Sequence, residues 1–121
     1  MDKWQAQATF WSSFGVPAYE ENSVPDLNRV SFPYITYQSV SGPFGADQLV
    51  TASVWTEDYS WARANAISDA IEERLKHGGE TVRYEGGGLW ITAEDNFSQS
   101  MGDPDDDRIK RKLISVVLHF A

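Results

Sequence analysis

Residues 109–120 have the sequence Ile109-Lys110-Arg111-Lys112-Leu113-Ile114-Ser115-Val116-Val117-Leu118-His119-Phe120. Side chains of an extended strand point alternately to opposite faces, so this stretch divides into two sets of residues. One face would carry Leu113, Ser115, Val117 and His119. The other would carry Ile114, Val116, Leu118 and Phe120. Because both sets are largely apolar, the pattern predicts a long strand in the centre of a sheet with both faces covered.

Patterns on the N-terminal side of this strand predict two helices and four more strands. Runs rich in β-branched and aromatic residues indicate strands at 34–40 and 49–56, and at 81–84 and 89–92 around the glycine-rich turn 85–88. Apolar spacings of three and four residues indicate helices at 3–14 and 60–77. The order α-β-β-α-β-β-β favours an α+β domain. We expect a mainly antiparallel sheet of four to five strands with the N-terminal helix and the central helix packed on it.

Each helix is expected to turn one apolar face toward the sheet. In the first helix, Trp4, Trp11 and Phe14 fall on one side. The central helix has Ser60 as its expected N-cap and is ended by the pair Gly78-Gly79. Its expected inner face consists of Trp61, Ala64, Ile67, Ser68, Ile71 and Leu75.

Length and composition restrict the class of protein. The 121 residues make a single domain, 1–121, and 41% of them are hydrophobic, which is too many for a disordered tail. No apolar run approaches the length needed to span a bilayer. The formal net charge of −8 disfavours binding to DNA or RNA, since attraction to phosphates is missing. There is no cysteine, and the N-terminal residues lack the pattern of a secretory signal, so we expect an intracellular protein without disulfides.

Motifs that carry catalysis are not found in the sequence. His77 and His119 are the only histidines, and nothing in the sequence pairs either of them with a nucleophile or an acid. No serine lies in a G-x-S-x-G context, and Gly86-Gly87-Gly88 matches neither a dinucleotide fingerprint nor a phosphate loop. The sequence therefore predicts that the protein is not an enzyme and needs no cofactor or metal. A small-molecule enzyme remains an alternative from a different class.

The most distinctive local feature is a run of acidic residues followed by basic ones between positions 103 and 112. Its members are Asp103, Asp105, Asp106, Asp107, Arg108, Lys110, Arg111 and Lys112. Three interpretations stay open. A calcium loop fits poorly, because Arg108 stands where the turn glycine belongs and Ile114 where the bidentate glutamate belongs. The residues could form a solvated loop that leads into an edge strand, whose basic side chains prevent pairing with another strand. They could also form an interface in which one copy's acids meet the next copy's bases.

Two further regions are candidates for contact with a partner. Phe44 lies near the tip of a connection, 41–48, that is longer than a tight hairpin needs, and it is either packed against the domain or exposed for contact. The stretch 16–33 is rich in proline and expected to be irregular. Glu57, Asp58, Glu94 and Asp95 are expected to be exposed acids.

Several stretches together resemble the tail terminator family of long-tailed bacteriophages, also described as minor capsid or tail-completion proteins. The resemblance begins with Phe10-Trp11-Ser12-Ser13-Phe14-Gly15-Val16-Pro17-Ala18-Tyr19, and Val24-Pro25 leads to Phe32-Pro33-Tyr34-Ile35-Thr36-Tyr37. It continues in Leu49-Val50-Thr51-Ala52-Ser53-Val54-Trp55, Tyr84-Glu85-Gly86-Gly87-Gly88-Leu89-Trp90-Ile91 and Met101-Gly102-Asp103-Pro104-Asp105-Asp106-Asp107. These stretches cover nearly the whole chain, and they are fold and turn signatures without a catalytic motif.

The resemblance implies a structural virion protein. Such a protein forms a hexameric ring that caps the tail tube, ends tail elongation and provides the docking surface for the head connector. The implied partners are further copies of the chain, the tail tube protein and the head-tail connector protein, with DNA passing through without specific binding. In such a ring, Phe44 and the charged run between positions 103 and 112 are candidate subunit or tube contacts. The candidates for the channel wall are Glu57, Asp58, Glu94 and Asp95. The implied location is the head-proximal end of the virion tail, after assembly in the host cytoplasm. A head-completion or head-tail joining neck protein is the alternative within the same class.

Overall fold

A computed structural model describes residues 1–26, 30–42 and 47–121. This part of the chain contains two α-helices and six β-strands. The helices are α1 (Lys3–Trp11), which continues into one 3-10 turn at Ser12–Phe14, and α2 (Ala62–Leu75). The strands are β1 (Ala18–Glu20), β2 (Tyr34–Tyr37), β3 (Asp47–Glu57), β4 (Glu80–Tyr84), β5 (Gly87–Gly102) and β6 (Ile109–Phe120).

All six strands form one sheet in the order β1-β2-β3-β6-β5-β4. Strand β6 lies between β3 and β5 and is antiparallel to both, so its predicted central position is confirmed. Only β1 and β2 pair in parallel among the described strands, which makes the sheet mixed but mainly antiparallel. The α+β fold class is therefore confirmed, with one strand more than the four to five expected.

The additional strand lies in the stretch expected to be irregular. Ala18 pairs with Ile35, and the backbone N–H of Ile35 donates to the carbonyl of Pro17 over 2.8 Å. A strand of three residues carries too few alternations to be recognised from its own sequence. It forms because β2 offers a free edge beside it.

Both helices pack on the same face of the sheet, and the core lies between them and the strands. In α2 the expected inner face is confirmed, because Ala64, Ser68, Ile71 and Leu75 are buried. The helix begins one residue later than expected. Its N-cap is Trp61, which makes no side-chain capping bond, while the Ser60 hydroxyl accepts from the backbone N–H of Ala62 at 3.1 Å.

The buried face of α1 differs from the predicted aromatic stripe. Burial follows two i, i+4 pairs, Ala6 with Phe10 and Gln7 with Trp11, whereas Trp4 remains 45% exposed. The buried face of α1 is thus rotated toward Phe10 relative to the predicted face. The apolar spacing alone does not identify Phe10 as a core residue. Buried Gln7 compensates for its polarity, because its amide donates to the Val40 carbonyl at 2.8 Å and accepts from the Val40 N–H at 3.0 Å.

Strand β5 is much longer than the predicted 89–92. It follows β6 for most of its length, with Ala93 opposite Val116 and Ser98 opposite Ile114. The residues between them, 94–97, bulge against a single residue of β6, and Phe97 from this bulge is buried in the core. A bulge of this size interrupts the alternation of inward and outward side chains. The alternating sequence pattern therefore predicts only the part of β5 that precedes the bulge.

One face of β6 is less covered than predicted. Ile114, Val116, Leu118 and Phe120 are buried beneath the helices, but the residues of the opposite face are only half-buried. The expectation that both faces are covered is therefore wrong for the described part of the chain. The two helices are held by one face of a curved sheet, which leaves the other face, here called the open face, without a helix on it.

Candidate interaction surface

The open face presents large apolar side chains to solvent. Strand register places Leu49 beside Val117, Trp90 beside His119, and Met101 beside Arg111, all on this face. The exposed fractions are 65% for Leu49, 44% for Trp90 and 36% for Met101. Serine and threonine side chains lie between these apolar groups, at Thr51, Ser53 and Ser115. These apolar groups are spread over the face and do not form one patch, and their exposed side chains are candidates for contact with another protein.

A row of stacked side chains crosses three strands of the open face. Register places Tyr34 of β2 beside Trp55 of β3, and Trp55 beside Arg111 of β6. The Tyr34 and Trp55 rings are stacked with centroids 6.2 Å apart, and the Arg111 guanidinium carbon lies 4.9 Å from the Trp55 centroid. We call Tyr34, Trp55 and Arg111 the arginine row.

Hydrogen bonds fix the orientation of the arginine row. The Trp55 Nε1–H donates to the Thr36 hydroxyl at 3.0 Å, and the Arg111 Nε–H donates to the Ser53 hydroxyl at 2.9 Å. Burial raises the pKa of the Tyr34 phenol, and the charge of Tyr19 adds to the shift. Tyr34 therefore stays neutral, and the guanidinium is the only charge in the row.

Two cavities border the row. One, of about 270 Å³, is lined by Trp55, Arg111, Glu21 and Val24 among others. The other, of about 280 Å³, is lined by Trp55, Arg111, Met101 and Asp103 among others. Arg111 lines both cavities. The half-buried cation and its aromatic neighbours thus lie between two clefts on the open face.

The basic residues after the acidic run do not form one block. Lys110 and Lys112 point to the helix side of the sheet, where their Nζ atoms lie 5.4 and 6.0 Å from the Trp61 ring centroid. Lys112 also donates to Asn65 Oδ1 and Ser100 Oγ, each over 2.8 Å. Arg111 points to the open face, where it meets Trp55. The period of two therefore separates residues that are adjacent in sequence.

The loop before β6 is ordered by its own polar groups. Asp103 Oδ1 accepts from the Asp105 N–H at 2.8 Å, and Asp106 Oδ2 lies 3.1 Å from Arg108 Nη2. The hydrogen bonds from Arg108 hold the pKa of the Asp106 carboxyl below its usual range. Among the described residues, Asp103, Asp105 and Asp107 form no salt bridge. The loop therefore carries free negative charge at its surface.

The channel-wall candidates separate into two places. Glu57 pairs with Ile109, and the Asp58 N–H donates to the Arg108 carbonyl at 2.7 Å, so these two acids lie beside the acidic loop. Glu94 and Asp95 lie in the bulge of β5. In the described ranges, no group of three histidine, aspartate or glutamate side chains is arranged to hold a metal ion. Phe44 lies outside the described residues.

A hydrogen-bonded group of three side chains around His119 could not be recognised in the sequence. The His119 Nδ1 atom lies 2.7 Å from Asp47 Oδ1, and Nε2 lies 2.9 Å from the Thr92 hydroxyl. Trp90 packs on the imidazole with ring centroids 4.4 Å apart. The sequence pairs neither histidine with an acid or a hydroxyl, and the fold supplies both partners for His119. Asp47 and His119 are 72 positions apart, so only the register of β3 against β6 brings them together.

The order hydroxyl, imidazole, carboxylate is the one in which a base activates a nucleophile. Here the three side chains come from adjacent strands, β5, β6 and β3, on the open face. Hydrogen bonds across neighbouring strands also stabilise the sheet without any catalytic role. The geometry accommodates either role.

Comparisons of the chain with protein-family models, curated proteins and solved structures gave no match. Neither α1 nor α2 has the length and apolar character that crossing a membrane requires, within the part of the chain that the structure describes. Function is therefore inferred from the chain's own residues and from the open face.

Proposed function

We propose that the protein is a structural virion component, a tail-terminator-like subunit that forms a hexameric ring on a bacteriophage tail tube. In this role it ends tube elongation and offers the surface on which the head connector docks. It acts at the head-proximal end of the tail after assembly in the host cytoplasm, and it works without catalysis or a cofactor. The residue stretches that resemble the tail terminator family support this assignment.

The observation that carries the proposal is the open face. A single domain with both helices on one side of its sheet leaves the other side available for a flat contact. Leu49, Trp90 and Met101 contribute exposed apolar area there, which a neighbouring subunit or the tube end would bury. A repeated contact between copies of a small domain can build a closed ring that is much larger than one subunit.

The charge distribution is compatible with DNA passing through the ring. A net charge of −8 gives no general attraction to phosphates, so DNA would not be retained by the subunits. Glu57, Asp58 and the acidic loop lie at one end of the sheet, together with Arg108 and Lys110. We propose that this end is near the channel.

The test is to add purified protein to isolated tail tubes and examine them by negative-stain electron microscopy. Attachment at one end of each tube supports the proposal, whereas attachment along the sides or no attachment contradicts it. Binding to the portal assembly while tubes stay bare would indicate the neck-protein alternative.

Two variants locate the contact. Leu49→Asp places a charge on the open face, and it should abolish attachment. Ala66→Asp places the same charge on the exposed side of α2 and should leave attachment intact. Normal attachment of Leu49→Asp, or loss in Ala66→Asp alone, would show that the open face is not the surface used.

A further inference from the structure

We infer that Arg111 forms an intersubunit ion pair. Its partner is a carboxylate from the Asp103–Asp107 loop of a second copy. The inference rests on the proposed function, because it requires that the chain assembles with itself. It adds which residues make the contact and why the other basic residues do not.

The Arg111 guanidinium is prepared to bind a carboxylate. It is half-buried, stacked on Trp55 at 4.9 Å, and oriented by its bond to Ser53. That bond uses only Nε, so the donors on the two Nη atoms remain for a planar, bidentate carboxylate contact. Among the described residues, no carboxylate forms a salt bridge with Arg111.

The other basic residues of the run already have partners in their own chain. Arg108 is paired with Asp106, Lys110 donates to the Asp107 carbonyl, and Lys112 donates to Asn65 and Ser100. A second carboxylate at Arg108 would compete with Asp106. Lys110 and Lys112 point to the helix side of the sheet, away from the open face. Arg111 lies on the open face and has no carboxylate partner among the described residues.

The acidic loop has the complementary properties. Asp105 and Asp107 are exposed and lack a basic partner in the described chain, while bonds within the loop limit its freedom. An ordered loop loses little entropy when it binds.

The two partners of the contact are different residues of the subunit. Side chains stand perpendicular to a sheet, so the arginine row opens outward from the open face. The acidic loop connects β5 to β6, and its Asp103 borders a cavity that Arg111 also lines. When the loop of each copy binds Arg111 of the next copy instead of exchanging contacts reciprocally, the contact is heterologous, and its repetition produces a closed ring or a filament. This agrees with an assembly of many equivalent subunits.

Charge reversal tests the contact from both sides. Arg111→Glu should weaken self-association at low salt by roughly tenfold or more, since each contact loses an ion pair and gains repulsion. The double variant Asp105→Lys, Asp107→Lys changes only exposed loop residues, and it should weaken self-association similarly. Arg63→Glu, on the exposed side of α2, is the matched control and should assemble as the parent does. The readouts are sedimentation velocity and native mass.

Mixing the two defective proteins gives the decisive result. In an alternating assembly, the loop that now carries lysines meets the glutamate substituted for Arg111 in one neighbour. The unchanged acidic loop meets the unchanged Arg111 of the other neighbour. An equimolar mixture should therefore recover assembly that neither variant shows alone. Failure of the mixture to assemble, or normal assembly of Arg111→Glu, overturns the inference while the ring proposal stands. A parent protein that stays monomeric with and without tube ends overturns both.

Discussion

The Arg111 guanidinium carbon lies 4.9 Å from the centroid of the Trp55 ring, on the sheet face that neither helix covers. The contact connects β6 to β3, and the stack of Trp55 on Tyr34 extends it to β2. A cation over an aromatic face at a partly exposed site contributes about 0.5–1 kcal/mol. The same contact that adds modest stability also holds a charge at the surface in one orientation. A charge that is already held in one orientation loses little freedom when it binds a partner.

The two glycines after α2 should respond very differently to alanine. Gly78 and Gly79 have φ of +88° and +82°, so either substitution adds backbone strain of about 1 kcal/mol. A Cβ at Gly79 would also lie 2.2 Å from the Ile91 carbonyl oxygen, whereas a Cβ at Gly78 has open space. Gly79→Ala should therefore lower the free energy of unfolding at least twice as much as Gly78→Ala in urea titrations. Equal losses would show that the backbone yields without cost at this place.

Gln7 should be a larger contributor to stability than its polarity suggests. Its amide satisfies both backbone groups of Val40, and Gln7→Leu would leave that partly buried donor and acceptor without this partner. The expected loss is about 2–4 kcal/mol in the free energy of unfolding. Gln99→Leu replaces an exposed glutamine and should change stability by less than about 0.5 kcal/mol. A small effect at Gln7 would mean that water replaces the amide.

The Asp106 carboxyl should titrate below its ordinary pKa of 3.8 because of Arg108. A depressed pKa in the folded state stabilises the fold at pH values above the ordinary one, and this contribution disappears as the pH falls through the depressed value. In Arg108→Gln, the Asp106 pKa should rise toward 3.8, measured by carbon NMR of the carboxyl group. Arg63→Gln serves as the control and should leave it unchanged. An unaltered Asp106 pKa in Arg108→Gln would refute the pairing.

Ester hydrolysis distinguishes the two roles of the Thr92, His119 and Asp47 constellation. For a structural protein, any hydrolysis of p-nitrophenyl acetate should be equal in the parent and in Thr92→Val. The substitution should cost about 0.5–1.5 kcal/mol of stability, because one hydrogen bond is lost. A rate that falls together in Thr92→Val and His119→Gln would instead favour the enzyme alternative. Thr81→Val, at an exposed position of β4, is the matched control.

Elements whose packing follows a simple period were predictable. The bounds of β6 and the inner face of α2 followed from spacings of two and three to four residues, because the core selects one side of each element. The rotation of the α1 stripe toward Phe10 did not follow. Several faces of α1 contain aromatic residues, so the spacing could not decide which side meets the sheet.

The candidate site was only partly accessible to the same reasoning. The acidic loop could be recognised from its run of aspartates. The sequence could not show that Arg111 and Lys112 point to opposite faces and have different partners. The Asp47 to His119 contact and the arginine row depend on strand register between distant segments. Register depends on how the hydrophobic faces of paired strands align, so it is fixed only when distant segments meet in the sheet.

The sequence by itself determined an acidic, cysteine-free α+β domain with β6 at its centre, because alternation, helical spacing and charge are local properties of a chain. Only the tertiary structure decided that both helices occupy one face, that β5 continues through a bulge, and that Arg111 stacks on Trp55 across the open face. These features arise from pairings between residues far apart in sequence. Their energies depend on the simultaneous placement of several strands, which is established only when the sheet forms.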